Sequence, residues 1–275
     1  MTPLEIGVCT WSIDRDDPSA GMQLAADRLA IRTVQIGAFG AGALHEFDVA
    51  AIAKLADQLG VAIAALFVGF DDVDTSSPTQ AAATGGLAHP QFGAARADLL
   101  SSAVTKAHEM RVNVLAAHIG PVPEDAAGQR LVLERLAPTL DQLDTNDGTL
   151  LLETGAEPAD RLNRFLDEAN RPSLAINYDP ANFLGHDSGD PVRAVTTLAL
   201  RIQQVHLKDA ARKRSSQDAW PEPCSLGAGD VNIPRVISKL RAKGYQGPLF
   251  VERPAGHGGI DAVAADVEYL RTMLV

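Results

Sequence analysis

The sequence predicts a (β/α)8 barrel spanning residues 1–275 as a single domain. Two observations carry that prediction. Short runs rich in Val, Ile and Leu recur along the chain, and most are followed by a longer stretch whose apolar residues repeat at helical spacing. Eight such runs fit into 275 residues, close to the roughly 250 that one barrel needs, and no interdomain linker, low-complexity segment or close internal repeat interrupts them. An open doubly wound sheet is the competing arrangement. Its dinucleotide-binding form is removed by the lack of a Gly-x-Gly-x-x-Gly after any run.

The predicted strands are residues 6–10, 33–37, 61–68, 113–118, 149–153, 174–179, 202–206 and 249–252. They are apolar on both faces, as strands covered by helices outside and side chains inside must be. The predicted helices are 47–59, with Gly60 as a C-cap, then 94–110, 127–143, 158–169, 191–200, 233–243, closed by Gly244, and 261–274. Pro158 and Pro191 each follow an acidic residue and suit a first helical turn, where a missing N–H costs nothing. Two connections, 69–90 and 209–231, are too long for plain turns. Both follow strands, so both are expected to overhang the C-terminal face, where barrels carry their chemistry.

Composition narrows the class. With 24 basic against 35 acidic residues the net charge is −11, which disfavours nucleic acid and anionic membrane as partners. The longest apolar stretch, 61–68, is far short of the ~20 residues that cross a bilayer. The start shows no basic segment followed by an apolar one, and Cys9 and Cys224 make neither a disulfide framework nor a thiolate metal site. The expectation is a cytoplasmic enzyme or binding protein.

Four successive strands end in a residue that can bind a metal: Glu153, Asp179, His206 and Glu252. The intervals are 26, 27 and 46 residues, which is one β/α unit, another, and one unit plus the second long connection. Barrel closure brings the four around one mouth. Three carboxylates and an imidazole form a hard, oxygen-rich set suited to one divalent ion, Mn²⁺, Mg²⁺, Co²⁺ or, less selectively, Zn²⁺.

The segments 151–155, 177–183, 205–209, 226–232 and 251–253 resemble the xylose-isomerase-like TIM barrels. That sugar phosphate isomerase/epimerase superfamily also holds the endonuclease IV type of DNA-repair enzymes. The resemblance covers essentially the whole chain and implies a metal on the same four residues. It also implies a substrate- or metal-facing His118, a substrate-contacting Arg212, a sugar or polyol substrate and a homo-oligomer. Three departures stand out. Asn182 occupies a place where ketose 3-epimerases and the repair endonucleases carry His, and Asn232 ends a motif where the endonucleases place another. Gln35 stands where the second strand of the family usually has Glu. The first two, with the negative charge, argue against DNA repair.

Other residues have two readings each. Trp11 forms an apolar wall against a sugar face or only packs the rim. Lys208 follows His206 at the mouth and is a candidate substrate contact. Asp209 either orients the His206 imidazole or caps a turn. His89 and His257 lie in Gly/Pro-rich loops and read as solvated. The expected chemistry is proton abstraction beside a carbonyl through a metal-stabilised enediolate. Glu153 removes a proton and Glu252 returns it, or the reverse, on the opposite face for epimerisation or at the neighbouring carbon for isomerisation. A lyase of the inosose-dehydratase kind and a barrel that binds metal or sugar without turnover remain open alternatives.

Overall fold

The apolar runs become strands buried on both faces. A computed structural model of the protein describes residues 4–213, 218–254 and 256–274. Its strands are β1 (Ile6–Cys9), β2 (Thr33–Phe39), β3 (Ala62–Gly69), β4 (Val114–Ala117), β5 (Thr149–Glu153), β6 (Leu174–Tyr178), β7 (Ile202–Leu207), β8 (Asp209–Ala211), β9 (Glu222–Cys224) and β10 (Leu249–Val251). Eight of them close a parallel barrel in the order β1-β10-β7-β6-β5-β4-β3-β2, and β8 and β9 form a separate antiparallel ribbon. The barrel predicted from the sequence is the barrel found.

β1, β4, β6 and β10 each stop one residue short of the predicted end. His118, Asp179 and Glu252 therefore stand just past the last strand residue, where the backbone turns into the mouth. The helix between β1 and β2, Pro18–Leu29, received no range from periodicity. Its buried face is Gly21, Met22, Ala25, Ala26 and Leu29, and three such small residues give little apolar contrast. Pro158 is the cap before helix Ala159–Ala169 rather than its first residue, while Pro191 does open its helix, capped by Asp190. The two long connections hold a short helix, Pro78–Thr84, and the β8–β9 ribbon. No helix among the described residues is long and apolar enough to cross a membrane.

The apolar interior has two layers. Outward-facing strand residues such as Val34, Ile36, Leu66, Leu152 and Ile176 pack against the helices. Inside the barrel Cys9, Phe67, Ala116, Leu151, Ala175 and Phe250 pack around Trp11. Gly7 leaves the room that the Phe250 ring fills.

Two register steps set which residues face inward. Between β2 and β3 the pairing shifts at Val34/Gln35, which leaves Ala64 as an extra residue. Between β6 and β7 it shifts at Ile176/Asn177 and leaves Gln203 extra. Strand faces alternate with period two, so a single extra residue exchanges them. The second step pairs Asn177 with Gln204 and turns Gln204, His206 and Lys208 toward the barrel axis.

Glu157 ties the loops after β4 and β5 together: it is 3% exposed, and its Oε2 accepts a hydrogen bond from Val122 N at 3.0 Å. Burial pushes its carboxyl up to about 7. A carboxyl whose folded-state pKa lies above its unfolded one favours folding in the protonated form. Its contribution is therefore full below the ordinary Glu range and is lost as the pH rises through about 7. Glu157→Gln keeps an acceptor oxygen without the charge. Thermal melts should show the variant gaining on wild type by up to about 3 kcal/mol between pH 5 and pH 8. A stability difference that stays flat over that interval would count against the assignment.

Candidate metal centre

β10, β7, β6 and β5 are consecutive in the barrel, so the residues at their C-terminal ends share one arc of the mouth. Glu153, Asp179, His206 and Glu252 each turn one ligand atom to a common point, and these atoms lie within 4.8 Å of one another. The first three are buried, and Glu252 is slightly exposed.

Each side chain is held by local structure. Asp179 caps the short helix Pro180–Gly185, its Oδ1 accepting from Ala181 N at 2.8 Å and Asn182 N at 3.2 Å. That leaves Oδ2 facing the cluster. It makes an ion pair with Lys208 Nζ at 2.6 Å but accepts no well-formed hydrogen bond. Thr154 Oγ1 accepts from Asp179 N at 2.9 Å and locks the ends of β5 and β6 together. The turn after Glu153 requires Gly155, with φ +128°, because a Cβ there would overlap Asn182. Glu252 Oε1 accepts from Trp11 Nε1 at 3.1 Å, and its Oε2 accepts from Lys208 Nζ at 3.0 Å. His206 Nδ1 lies 2.9 Å from Glu153 Oε1 and 3.4 Å from Glu252 Oε2, while Nε2 lies 2.8 Å from Gln35 Oε1.

The electrostatics follow from this crowding. Burial is the largest influence on Glu153 and pushes it up, but the hydrogen bond and the charge of His206 together overcome it and the net shift is downward. Burial is likewise overcome at Glu252, which Lys208 and His206 hold well below the usual carboxylate range. At Asp179 burial prevails over the pull of Lys208 and the shift is upward. Burial disfavours a charged imidazole at His206, yet the neighbouring carboxylates raise it well above its ordinary value. Cys9, beside it, is a neutral thiol pushed up to about 12 by burial.

A cavity of about 270 Å³ opens above the cluster. Glu153, Glu252, Lys208, His118, Asn182 and His186 line its polar side, and Phe70, Val73 and Trp220 its apolar side. Burial lowers the pKa of both histidines, whose rings lie 6.2 Å apart, so both stay neutral hydrogen-bonding groups. The two long connections meet over this cavity. Trp220 Nε1 donates to Thr75 O at 2.8 Å, and Asp218 accepts from Ser77 Oγ at 2.9 Å and Thr79 N at 3.0 Å.

His118 and Lys208 thus stand where the sequence placed them, at the mouth. Trp11 is not a cavity wall: it packs inside the barrel between Phe39 and Phe67 and holds Glu252. Arg212 turns away, half exposed, and pairs with Asp187 at 3.0 Å, because the chain enters the β8–β9 ribbon immediately after β7. Asp209 does not orient His206. Its carboxylate accepts from the backbone N–H of Ala210, Gly227, Gly229 and Val231, and so shapes the Gly-rich loop. His89 is not merely solvated: its Nδ1 accepts from Gln91 N and Phe92 N in the turn that leads into helix Gly93–Glu109. His257 is exposed. Sequence reasoning passed over His186 and Trp220. The spacing of His186 four residues after Asn182 was a usable signal, and Trp220 offered none.

The donor set fits a divalent ion. Hard oxygens predominate, one buried carboxylate oxygen lacks a hydrogen bond, and a ring nitrogen faces the same point.

A family model described as xylose isomerase-like TIM barrel matches residues 24–273. No curated protein matches the chain. Among solved structures, a xylose isomerase domain protein from Planctomyces limnophilus is similar at 28% identity and TM-score 0.85, over 98% of this chain and 97% of that one. A D-allulose 3-epimerase from Methylomonas sp. in complex with D-allulose is 16% identical with TM-score 0.76, over 98% and 97%. A probable 3-DHS dehydratase from Bacillus anthracis, involved in petrobactin synthesis, is 15% identical with TM-score 0.70, over 98% and 99%. The last two show likeness of fold alone. The resemblance read from the strand-end motifs thus extends over nearly the whole sequence, and the chain belongs to the xylose isomerase-like TIM barrel family.

Proposed function

We propose that the protein is a divalent-metal-dependent isomerase or epimerase of a sugar, keto-sugar or related polyol, acting on the carbon beside a carbonyl. One observation carries this reading: Glu153 and Glu252 reach a single small cavity from different strands while both face the same candidate metal position. The cavity volume lies just under the usual range for small-molecule sites, about 300–1,000 Å³, which suits a compact ligand. Similarity to an epimerase solved with D-allulose supports a ligand of that chemical kind.

Glu153, Asp179, His206 and Glu252 are the residues that hold the ion. A divalent ion there supplies Lewis acidity toward a carbonyl and a neighbouring hydroxyl oxygen. Glu153 and Glu252 are both held as carboxylates, ready to accept a proton. Trp11 fixes the angle of Glu252 through Oε1. Lys208 Nζ, 3.0 Å from Glu252 Oε2, holds that carboxylate in place by charge and hydrogen bond. The neutral rings of His118 and His186 bond substrate hydroxyls, and Phe70, Val73 and Trp220 cover the apolar face of the ligand.

Elemental analysis should find about one divalent ion per chain in wild type and clearly less in Asp179→Asn, since one cluster supplies one site. Equal metal in both would remove the site as drawn.

Glu153→Gln and Glu252→Gln should each lose more than the ~10²–10⁴-fold typical of one general base, because each residue also holds the ion. A substrate comes first, from a panel of ketoses, keto-sugars and inososes with Mn²⁺ or Co²⁺. In D₂O each single variant should label substrate without inverting it. Loss of water from the substrate, read as a new enone absorbance, would make the enzyme a dehydratase instead. Near-wild-type rates in both variants would overturn the two-glutamate assignment.

Trp11→Phe preserves the packing and deletes one donor to Glu252. Turnover should fall by about 10-fold, the scale of one hydrogen bond to a charged group, with metal content unchanged. An unchanged rate would mean that Trp11 only packs.

A further inference from the structure

Beneath the metal-facing residues the barrel interior holds three amides, Gln35, Asn177 and Gln204, that the reaction above leaves unused. Gln35 and Asn177 are fully buried and Gln204 nearly so. Barrel interiors are ordinarily filled by branched apolar residues, and a buried amide is costly unless its polar atoms are bonded. Here the bonds form a chain with a direction.

The direction starts at the register step on β3. Gln204 Nε2 donates to the carbonyl oxygen of Ala64, the extra residue of that step, at 3.0 Å. A backbone carbonyl only accepts, so Gln204 must present its nitrogen there and its oxygen the other way. Gln204 Oε1 then accepts from Gln35 Nε2 at 2.5 Å, and Asn177 Oδ1 lies 3.5 Å from the same nitrogen. Gln35 is left with Oε1 toward His206 Nε2, at 2.8 Å. An amide oxygen cannot donate, so the hydrogen on this side of the ring belongs to Nε2. Nδ1 is the nitrogen that faces Glu153 and Glu252.

We propose that Gln35, locked by this relay from the Ala64 carbonyl, is the positioning residue that holds the Nε2–H of His206 and so dedicates Nδ1 to the metal. The inference rests on the metal reading given above. Partners of this kind on a ligating histidine are worth about 10–100-fold in metal affinity when removed. Gln35 supplies this without adding a fourth acidic group to the cluster.

The test combines calorimetry of Mn²⁺ binding with ¹⁵N–¹H spectra of histidine-labelled protein, metal-free and Zn²⁺-loaded, with the His206 signals assigned from a His206→Gln sample. Wild type should show a solvent-protected Nε2–H signal, and Nδ1 as the Zn²⁺-bound nitrogen. Gln35→Met is nearly isosteric and should lose the protected signal and bind Mn²⁺ about 10–100-fold more weakly. Gln35→Glu can still accept from Nε2–H and should keep both. Gln204→Met touches neither His206 nor the ion. It frees the Gln35 amide to rotate and should weaken both readouts in the same direction, which keeps the test decisive should Gln35→Met fold poorly. Wild-type affinity and signal in Gln35→Met would overturn the proposal, as would a Gln35→Glu protein as impaired as Gln35→Met. Gln204→Met with a lowered melting temperature but unchanged affinity would overturn the relay. A wild-type protein that takes up no ion would sink the metal reading alone, and the metal-free signal would still decide whether Gln35 holds the ring.

Discussion

Mutual repulsion of three carboxylates converging at the end of a closed barrel is the constraint around which the site is arranged. At an effective dielectric of about 20, two unit charges some 5 Å apart repel by roughly 3 kcal/mol, and three carboxylates make three such pairs. Each is answered locally. Asp179 meets two backbone N–H groups at a helix start and the Lys208 ammonium. Glu252 meets an indole N–H and the same ammonium, and Glu153 meets His206. Every compensating group comes from a strand end or the turn just beyond it, so their placement depends on the barrel closing in the observed register.

That register is less regular than the strand pattern suggests. Were Gln203 paired with Asn177 in regular register instead, alternation would send His206 and Lys208 outward into the helix layer and bring Leu207 to the axis. Without the extra Ala64, the relay that ends on His206 would lose its fixed acceptor. Both irregularities sit beside the amide chain, which makes them parts of the site rather than imperfections of the sheet.

The barrel was legible because its strands are apolar on both faces and recur at β/α-unit spacing. The four residues of the candidate metal cluster were legible because each terminates such a run. Gln35, Asn177 and Gln204 were not, for they stand within the runs, where apolar neighbours on the outward face carry the strand signal and an inward amide reads as an interruption. No residue type marks Ala64 or Gln203 as extra. Arg212 and Asp209 misled for another reason: distance along the chain from His206 carries no direction once the backbone turns into a ribbon. Trp220 meets Thr75 across 145 residues, a separation that no local pattern reports.

The three surface bonds between Trp220 or Asp218 and residues 75–79 bear on how this chain can change over time. They roof the cavity without passing through the barrel, and each is worth only about 1 kcal/mol. A ligand entering the cavity would have to part these bonds, while resistance to unfolding draws on the strand and helix layers. Substitutions in the roof can retune residence time and ligand shape at little expense in folding stability, and substitutions in the helix layer can do the converse. Selectivity and durability are separately adjustable traits in this protein.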